Sequence, residues 1–486
     1  MTDVRDSVRP AANPPVNPPV NPSANSSVNA ARTGWGVLAV VCGALFLEGI
    51  DIAMLNVAVP AIAADIGLAT ADAHWVISAY VLAYGGFMIF GGRTADLLGR
   101  RRTFLVALAV FVAFSGLGGL ADEAWVLIVA RFVTGATAGF MTPAGFSLLT
   151  TSFPEGPLRD RALAIYGAIG AGGFTLGVVA GGFLTEVGWR WVFFAPVIVG
   201  AALWIAGRAV IRPDVPSELP RRGFDLGGAI TLTSAMVALI YGVVAIGEGE
   251  TATAGVMSFV AAAVLIGLFV MIERRVADPL LRLAVLREGL LLRSSAAGLL
   301  FIGAFFAFQF LVTLYLQEFR GWSPIATGLA FAVMGLDMIL APLVTHRLVK
   351  RFGNAPVMVA GLLAGAVAFA LALRIDGSWG YLDLLPSLVL IGVMFALVYG
   401  PLTAAATAGL DEAEHGVAGG VVYTAFQFGA ALGVSIATIA LVEGHAADAD
   451  WSDYRRALLV PAIGAALALA LGISTWARAR RTRTPV

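Results

Sequence analysis

Charge is scarce in this sequence. Asp, Glu, Lys and Arg make up 13% of its 486 residues, where a soluble domain carries about 25%. Lysine is nearly missing: Lys350 stands alone among 31 Lys and Arg. A single cysteine, Cys42, excludes an intrachain disulfide and a cysteine-built metal site. The four histidines, His74, His346, His415 and His445, lie far apart in the chain. No H-E-x-x-H pair and no P-loop accompanies them, so neither zinc-dependent hydrolysis nor direct ATP drive is expected. No enzyme activity, metal or cofactor is therefore anticipated. The formal net charge is zero, which implies no nucleic-acid partner. Polar–apolar alternation over about ten residues, the mark of a membrane barrel strand, is missing from runs such as 104–120 and 357–373.

What the chain has is apolar length. Hydrophobic residues make up 59% of it. A helical span needs roughly 20 apolar residues, and helices satisfy their own backbone in lipid. The apolar runs fall at 35–60, 74–92, 103–121, 125–148, 161–186, 190–211, 225–247, 252–273, 294–317, 324–347, 355–374, 383–405, 416–443 and 457–477. The expectation is an all-α membrane protein of fourteen transmembrane helices. Residues 1–33, with the repeats Asn13-Pro-Pro-Val16 and Asn17-Pro-Pro-Val20, read as a disordered tail. That tail lacks the apolar centre of a cleavable signal. With the tail inside, five arginines fall outside, Arg190, Arg320, Arg374, Arg455 and Arg456, and Arg131 lies within a span. The other Lys and Arg gather on the inner side, so both termini are expected in the cytoplasm. The Arg-rich, Ala- and Gly-rich composition points to a bacterial source and hence to an inner (plasma) membrane location.

Four charges sit where charge is costly, at about 2.5–3.5 kcal/mol each on insertion scales. Glu48 and Asp51 lie three residues apart on one face of the first span. Arg131 lies in the fourth span and Asp337 in the tenth. A carboxylate in such a place serves either to carry a proton or to pair with a cation and fix helix packing. Asn56, Gln309 and Gln427 are the polar candidates for a substrate cavity; the plainer reading of the glutamines is interhelical hydrogen bonding.

The loop after the second span reads Gly92-Arg-Thr-Ala-Asp96-Leu-Leu-Gly99-Arg100-Arg101-Arg102. This resembles the signature loop of the major facilitator superfamily, G-x-x-x-D-x-x-G-R-R-x. Leu47-Glu48-Gly-Ile-Asp51 through Asn56 to Pro60 is similar to the L-D-x-T-x-V-N-V-A-L-P stretch of fourteen-helix drug exporters, with Ala53 for Thr and Glu48 as an added acid. Arg131-Phe-Val-Thr134-Gly135 resembles R-x-x-Q-G. Gly173, Gly177, Gly181 and Gly182 match the antiporter motif G-x-x-x-G-P-x-x-G-G, with Val178 in place of Pro.

The resemblance runs from about 35 to 440. It implies two six-helix halves, 34–211 and 294–478, joined by a segment, 212–293, that carries two additional helices, and a basic tail at 479–486. It implies a proton-coupled drug exporter working by alternating access, with Asp51, Glu48, Arg131 and Asp337 in proton coupling. Gly92, Asp96, Gly99, Arg100 and Arg101 would form a conformational latch, and the glycine strip a seal against leak. The expected partners are a small-molecule substrate, protons and lipid, and a monomer is expected. The same fold would also suit a narrow exporter of one metabolite, amino acid or siderophore.

Overall fold

A computed structural model describes residues 22–153, 157–214, 225–247, 252–276, 279, 289–407, 415–442 and 450–481. The first 21 residues, residues 215–224 and 280–288 of the 212–293 segment, and the last five residues lie outside the described residues. Every element of length is helical: α1 (Pro22–Ile66), α2 (Trp75–Leu98), α3 (Arg100–Gly119), α4 (Ala124–Ser152), α5 (Pro157–Val187), α6 (Trp191–Val210), α7 (Leu226–Gly247) and α8 (Ala252–Glu273). Then come α9 (Gly289–Leu314), α10 over 324–352, α11 (Asn354–Ala372), α12 (Tyr381–Thr407), α13 (His415–Val442) and α14 (Leu459–Arg481). α1 already begins at Pro22, a residue that suits a first helical turn because its missing N–H has no partner there in any case.

Among the described residues, ten helices are long and apolar enough to cross a membrane. Four shorter apolar stretches, Trp75–Met88, Gly172–Val187, Leu226–Leu239 and Pro324–Leu336, lie between them in chain order. Their outward faces carry Phe183, Ile198, Ile205, Val256, Met257 and Val264, all exposed. Apolar side chains displayed on so many helices suit hydrocarbon rather than water.

Packing follows a repeated scheme. In the first half α1 packs on α5, α6 and α4, α2 on α4, and α3 on α4 and α6. In the second half α9 packs on α13, α14 and α12, α10 on α12, and α11 on α12 and α14. The second set is the first with eight added to each helix number. The halves meet where α2 crosses α13 and where α5 crosses α10, again a matched pair. The α7–α8 hairpin stands outside this twelve-helix arrangement, α7 lying against α2 and α13.

α10 departs from regular helix where its counterpart α2 does not. It runs as α-helix Pro324–Phe331, a 3₁₀ turn Ala332–Leu336, an α-turn Asp337–Leu340, a π turn Ala341–Thr345 and α-helix His346–Phe352. Pro342 offers no N–H to the ladder, and a π turn absorbs such a defect. Asp337 therefore sits, partly buried, between two irregular turns.

Candidate functional site

The glycines of α4 and α5 let α1, α2 and α4 approach closely enough to bury charge. A Cβ at Gly135 would run into Tyr80 O, and one at Gly139 would lie 2.8 Å from Tyr84 O. No larger residue fits at either position without moving a backbone. Along α5 a Cβ at Gly173 would meet Phe46 O at 3.0 Å, at Gly177 Ala53 Cβ at 2.7 Å, and at Gly181 Met54 Cα at 2.6 Å. Three of the four motif glycines thus seat α1. The fourth faces elsewhere. A Cβ at Gly182 would lie 2.6 Å from Pro324 O on α10, and one at Gly328 would lie 2.7 Å from Val178 O on α5. The glycine strip therefore splits between packing within a half and contact between halves.

In the space so formed, Arg131 Nη1 donates to Asp51 Oδ2 at 2.6 Å, and both side chains are at most 2% exposed. Arg131 Nε donates to Val76 O at 3.2 Å, and the guanidinium lies 4.3 Å from the centre of the Tyr80 ring. Glu48 does not join this pair. Tyr84 OH donates to Glu48 Oε2 at 3.0 Å, Thr142 Oγ1 lies 2.6 Å from the same oxygen, and the two hydroxyls are 2.6 Å apart. Two acids one helical turn apart thus have separate sets of partners.

The other sequence candidates are dispersed. Asn56 is buried and donates to Ile52 O on its own helix at 3.0 Å. Gln309 is buried on α9, and neither side-chain polar atom has a hydrogen-bond partner among the described residues. Gln427 lies on α13 with its Cβ against Gly85 of α2, beside Thr424, whose hydroxyl donates to Gly85 O at 3.3 Å. Asp337 belongs to the other half.

In the loop motif Gly99 takes φ +100°, a left-handed conformation that favours glycine, and a Cβ there would meet Asp214 Oδ2. Asp214 accepts from the backbone N–H groups of Arg101 and Arg102 at 3.0 and 3.1 Å, which caps the start of α3. Arg101 in turn donates to Ile211 O and Arg208 O. These contacts tie the loop to the end of α6, in its own half. Gly92 makes only ordinary contact with Pro143, whereas its neighbour Gly91 meets Gly139 O. The Asp96 side chain lies outside the described residues.

Sequence reasoning missed Tyr84, Thr142 and an aromatic wall between the halves. Phe174 lies 5.5 Å from Phe305, Phe305 4.6 Å from Phe395, and Phe395 stacks on Tyr399 at 6.2 Å. Tyr399 continues to Phe426 and Tyr423. The wall draws on α5, α9, α12 and α13, so no local spacing announces it. Tyr80 and Tyr84 did carry a signal: a tyrosine pair at i,i+4 in an apolar helix needs partners for its hydroxyls.

Two pseudo-equivalent helical bundles, a buried ion pair in the first and an aromatic wall between them define a membrane transporter of the two-bundle kind. A family model described as Major Facilitator Superfamily matches residues 41–434, and the chain belongs to that superfamily. It is a multi-pass membrane transporter and not an enzyme. The chain is 36% identical over 414 residues to the puromycin resistance protein pur8 of Streptomyces alboniger, covering 83% of this chain and 81% of that one. It is 32% identical over 459 residues to the lincomycin resistance protein of Streptomyces lincolnensis, covering 94% of each. In fold it resembles an auto-inhibited POT family peptide transporter, with TM-score 0.66 at 18% identity over 92% of this chain and 98% of that one.

Proposed function

We propose that this chain exports amphipathic antibiotics or similar drugs across a bacterial plasma membrane in exchange for protons. The observation that carries the reading is the pair of buried acids on α1, Glu48 and Asp51, held in the first half and flanked by an aromatic wall that both halves build. Buried ionisable groups in membrane helices mark ion paths, because their cost is otherwise unrepaid. Aromatic faces with few fixed charges suit varied amphipathic cargo. The resistance named for both relatives supports efflux of this kind.

The chain crosses the membrane fourteen times, through the ten long helices and the four shorter ones interspersed among them. The arginine-rich ends are cytoplasmic, and both termini lie on that side. The halves rock against one another, and the α5–α10 contact opens in one of the two facing states. Asp337, on the irregular α10, is a coupling candidate in the second half, and the Gly92–Arg102 loop acts as a latch at the cytoplasmic end. The transporter works as a monomer. A narrower range is favoured by one observation: each of the two relatives is named for one antibiotic.

The test uses purified protein in liposomes with an imposed pH gradient and labelled puromycin as probe. Accumulation driven by the gradient and abolished by an uncoupler is expected. Movement indifferent to the gradient overturns proton coupling. A panel of unrelated toxic compounds against overproducing cells separates broad from narrow export.

A further inference from the structure

We propose that Glu48, not Asp51, is the group that gains and loses the transported proton, and that Thr142 is the positioning residue that lets it do so without moving. The proposal rests on the proton-coupled reading above and assigns its chemistry to particular atoms.

Thr142 Oγ1 lies between two acceptors, Glu48 Oε2 at 2.6 Å and Ala138 O at 3.1 Å. With Glu48 ionised, Thr142 and Tyr84 both donate to Oε2. With Glu48 protonated, Oε2–H donates to Thr142 Oγ1, Thr142 turns its own proton to Ala138 O, and Tyr84 donates to Thr142 Oγ1 at 2.6 Å. A hydroxyl has one proton and two lone pairs, so every donor is satisfied in both states. One proton arrives and one leaves per cycle, and only O–H bonds rotate. Leaving a buried polar group unpaired costs about 1–3 kcal/mol, and this arrangement avoids that cost at either stage.

Asp51 has no such freedom. Its proton would leave the buried Arg131 cation, among the described residues, with the Val76 carbonyl and the face of the Tyr80 ring. Breaking a buried pair from one side is strongly unfavourable. The Asp51–Arg131 pair is accordingly a fixed charge pair that anchors α1 to α4.

The ionisable groups that act on Glu48 are Asp51 on its own helix, Tyr80 and Tyr84 on α2 and Tyr166 on α5; one step further out, Arg131 on α4 acts on Asp51 and Tyr80, and Cys42 and Tyr423 act on Tyr166. α6 and α9 also pack on α1, and their charges, Arg208 and Arg293, lie toward the ends at the arginine-rich side of the bundle. Among these groups Glu48 is the acid whose hydrogen bonds close in both charge states.

Infrared difference spectroscopy of the purified protein across pH reads the carboxyl C=O band without any need for transport. The band is expected to titrate in the wild type, to vanish in Glu48→Gln and to persist in Asp51→Asn. In liposomes, Thr142→Val removes a donor to the carboxylate. The pH profile of puromycin export then moves to higher pH by about one unit, tenfold in proton concentration, because a bond to a charged group is lost against a weaker neutral one. Thr142→Ser restores the profile. A band that survives Glu48→Gln or disappears in Asp51→Asn overturns the assignment, and so does an unmoved profile in Thr142→Val. Should either acid variant fail to fold, the Val and Ser variants of Thr142 decide by themselves. If the band behaves as expected but no gradient drives puromycin, the proton-coupled reading fails and the titration assignment stands. If Glu48→Gln still couples export to the gradient, the assignment fails and proton coupling stands.

Discussion

Replacing Gly182 by alanine is expected to open the α5–α10 contact between the halves, whereas the same change at Gly177 is expected only to weaken the first half. At Gly182 the new methyl would lie 2.6 Å from Pro324 O and 3.0 Å from Ile325 Cα, both backbone atoms of α10. Ordinary contact begins at 3.4 Å, so α10 must retreat by about 0.8 Å. Overpacking of this kind costs about 1–3 kcal/mol. Only the conformer in which α5 and α10 touch bears that cost, so the balance of facing states shifts by roughly 5- to 150-fold. At Gly177 the clashes, 2.7 Å to Ala53 Cβ and 2.8 Å to Ile50 Cα, lie inside one half. They burden both facing states alike and leave the balance unchanged.

The assay is double electron–electron resonance between labels at Val187 and Leu329, both exposed, in a Cys42→Ala background. Cys42 is the only native cysteine, so one substitution clears the chain for labelling. Gly182→Ala should move the distance distribution to longer values. Gly177→Ala should lower thermal stability by a comparable energy and leave the distribution in place. Identical distributions for wild type and Gly182→Ala, at unchanged stability, would mean that α5 and α10 do not part between facing states.

Three further outcomes are expected. Arg131→Met and Asp51→Leu should each destabilise the protein by about 3–5 kcal/mol, and the double variant should recover most of the loss, since an apolar pair replaces a buried ionic one at little cost; a double-mutant cycle by thermal unfolding reads this, and simple additivity contradicts it. Asp214→Ala should free the backbone N–H groups of Arg101 and Arg102 and speed their hydrogen exchange, with amides in the middle of α3 unchanged. The cap on the short helix Trp451–Ala457 should outlast mild acid: hydrogen bonds from the Ser452 side chain and backbone hold the Asp450 carboxyl below its ordinary value of 3.8. A depressed carboxyl contributes its stability above the unfolded value and loses it only as pH falls through the folded one. Protection of the Ser452 and Asp453 amides, taken relative to the intrinsic exchange rate at each pH, should therefore fall only below about pH 4, and a fall already at pH 6 would contradict the cap.

Most of the architecture was legible because membrane helices satisfy their backbones alone. Apolar run length marks them without reference to neighbours, and the runs at 103–121, 190–211 and 355–374 lie close to α3, α6 and α11. Glu48, Asp51 and Arg131 were legible as misfits, since each is a charge placed inside such a run. Asp214 was not, because an acid after the end of a helix looks like any loop residue until the start of α3 is brought against it.

Residue order alone is thus enough to mark the chain as a helical membrane transporter and to single out the residues whose burial is costly. Tertiary structure alone decided the partnerships: Arg131 with Asp51 and not Glu48, Thr142 and Tyr84 with Glu48, three motif glycines on α1 and the fourth on α10. The reason is physical. Helix formation and membrane insertion are local properties of about 20 residues. Hydrogen bonds and close packing join residues 80 or 94 positions apart, and such pairs are fixed only when the helices have been set against one another.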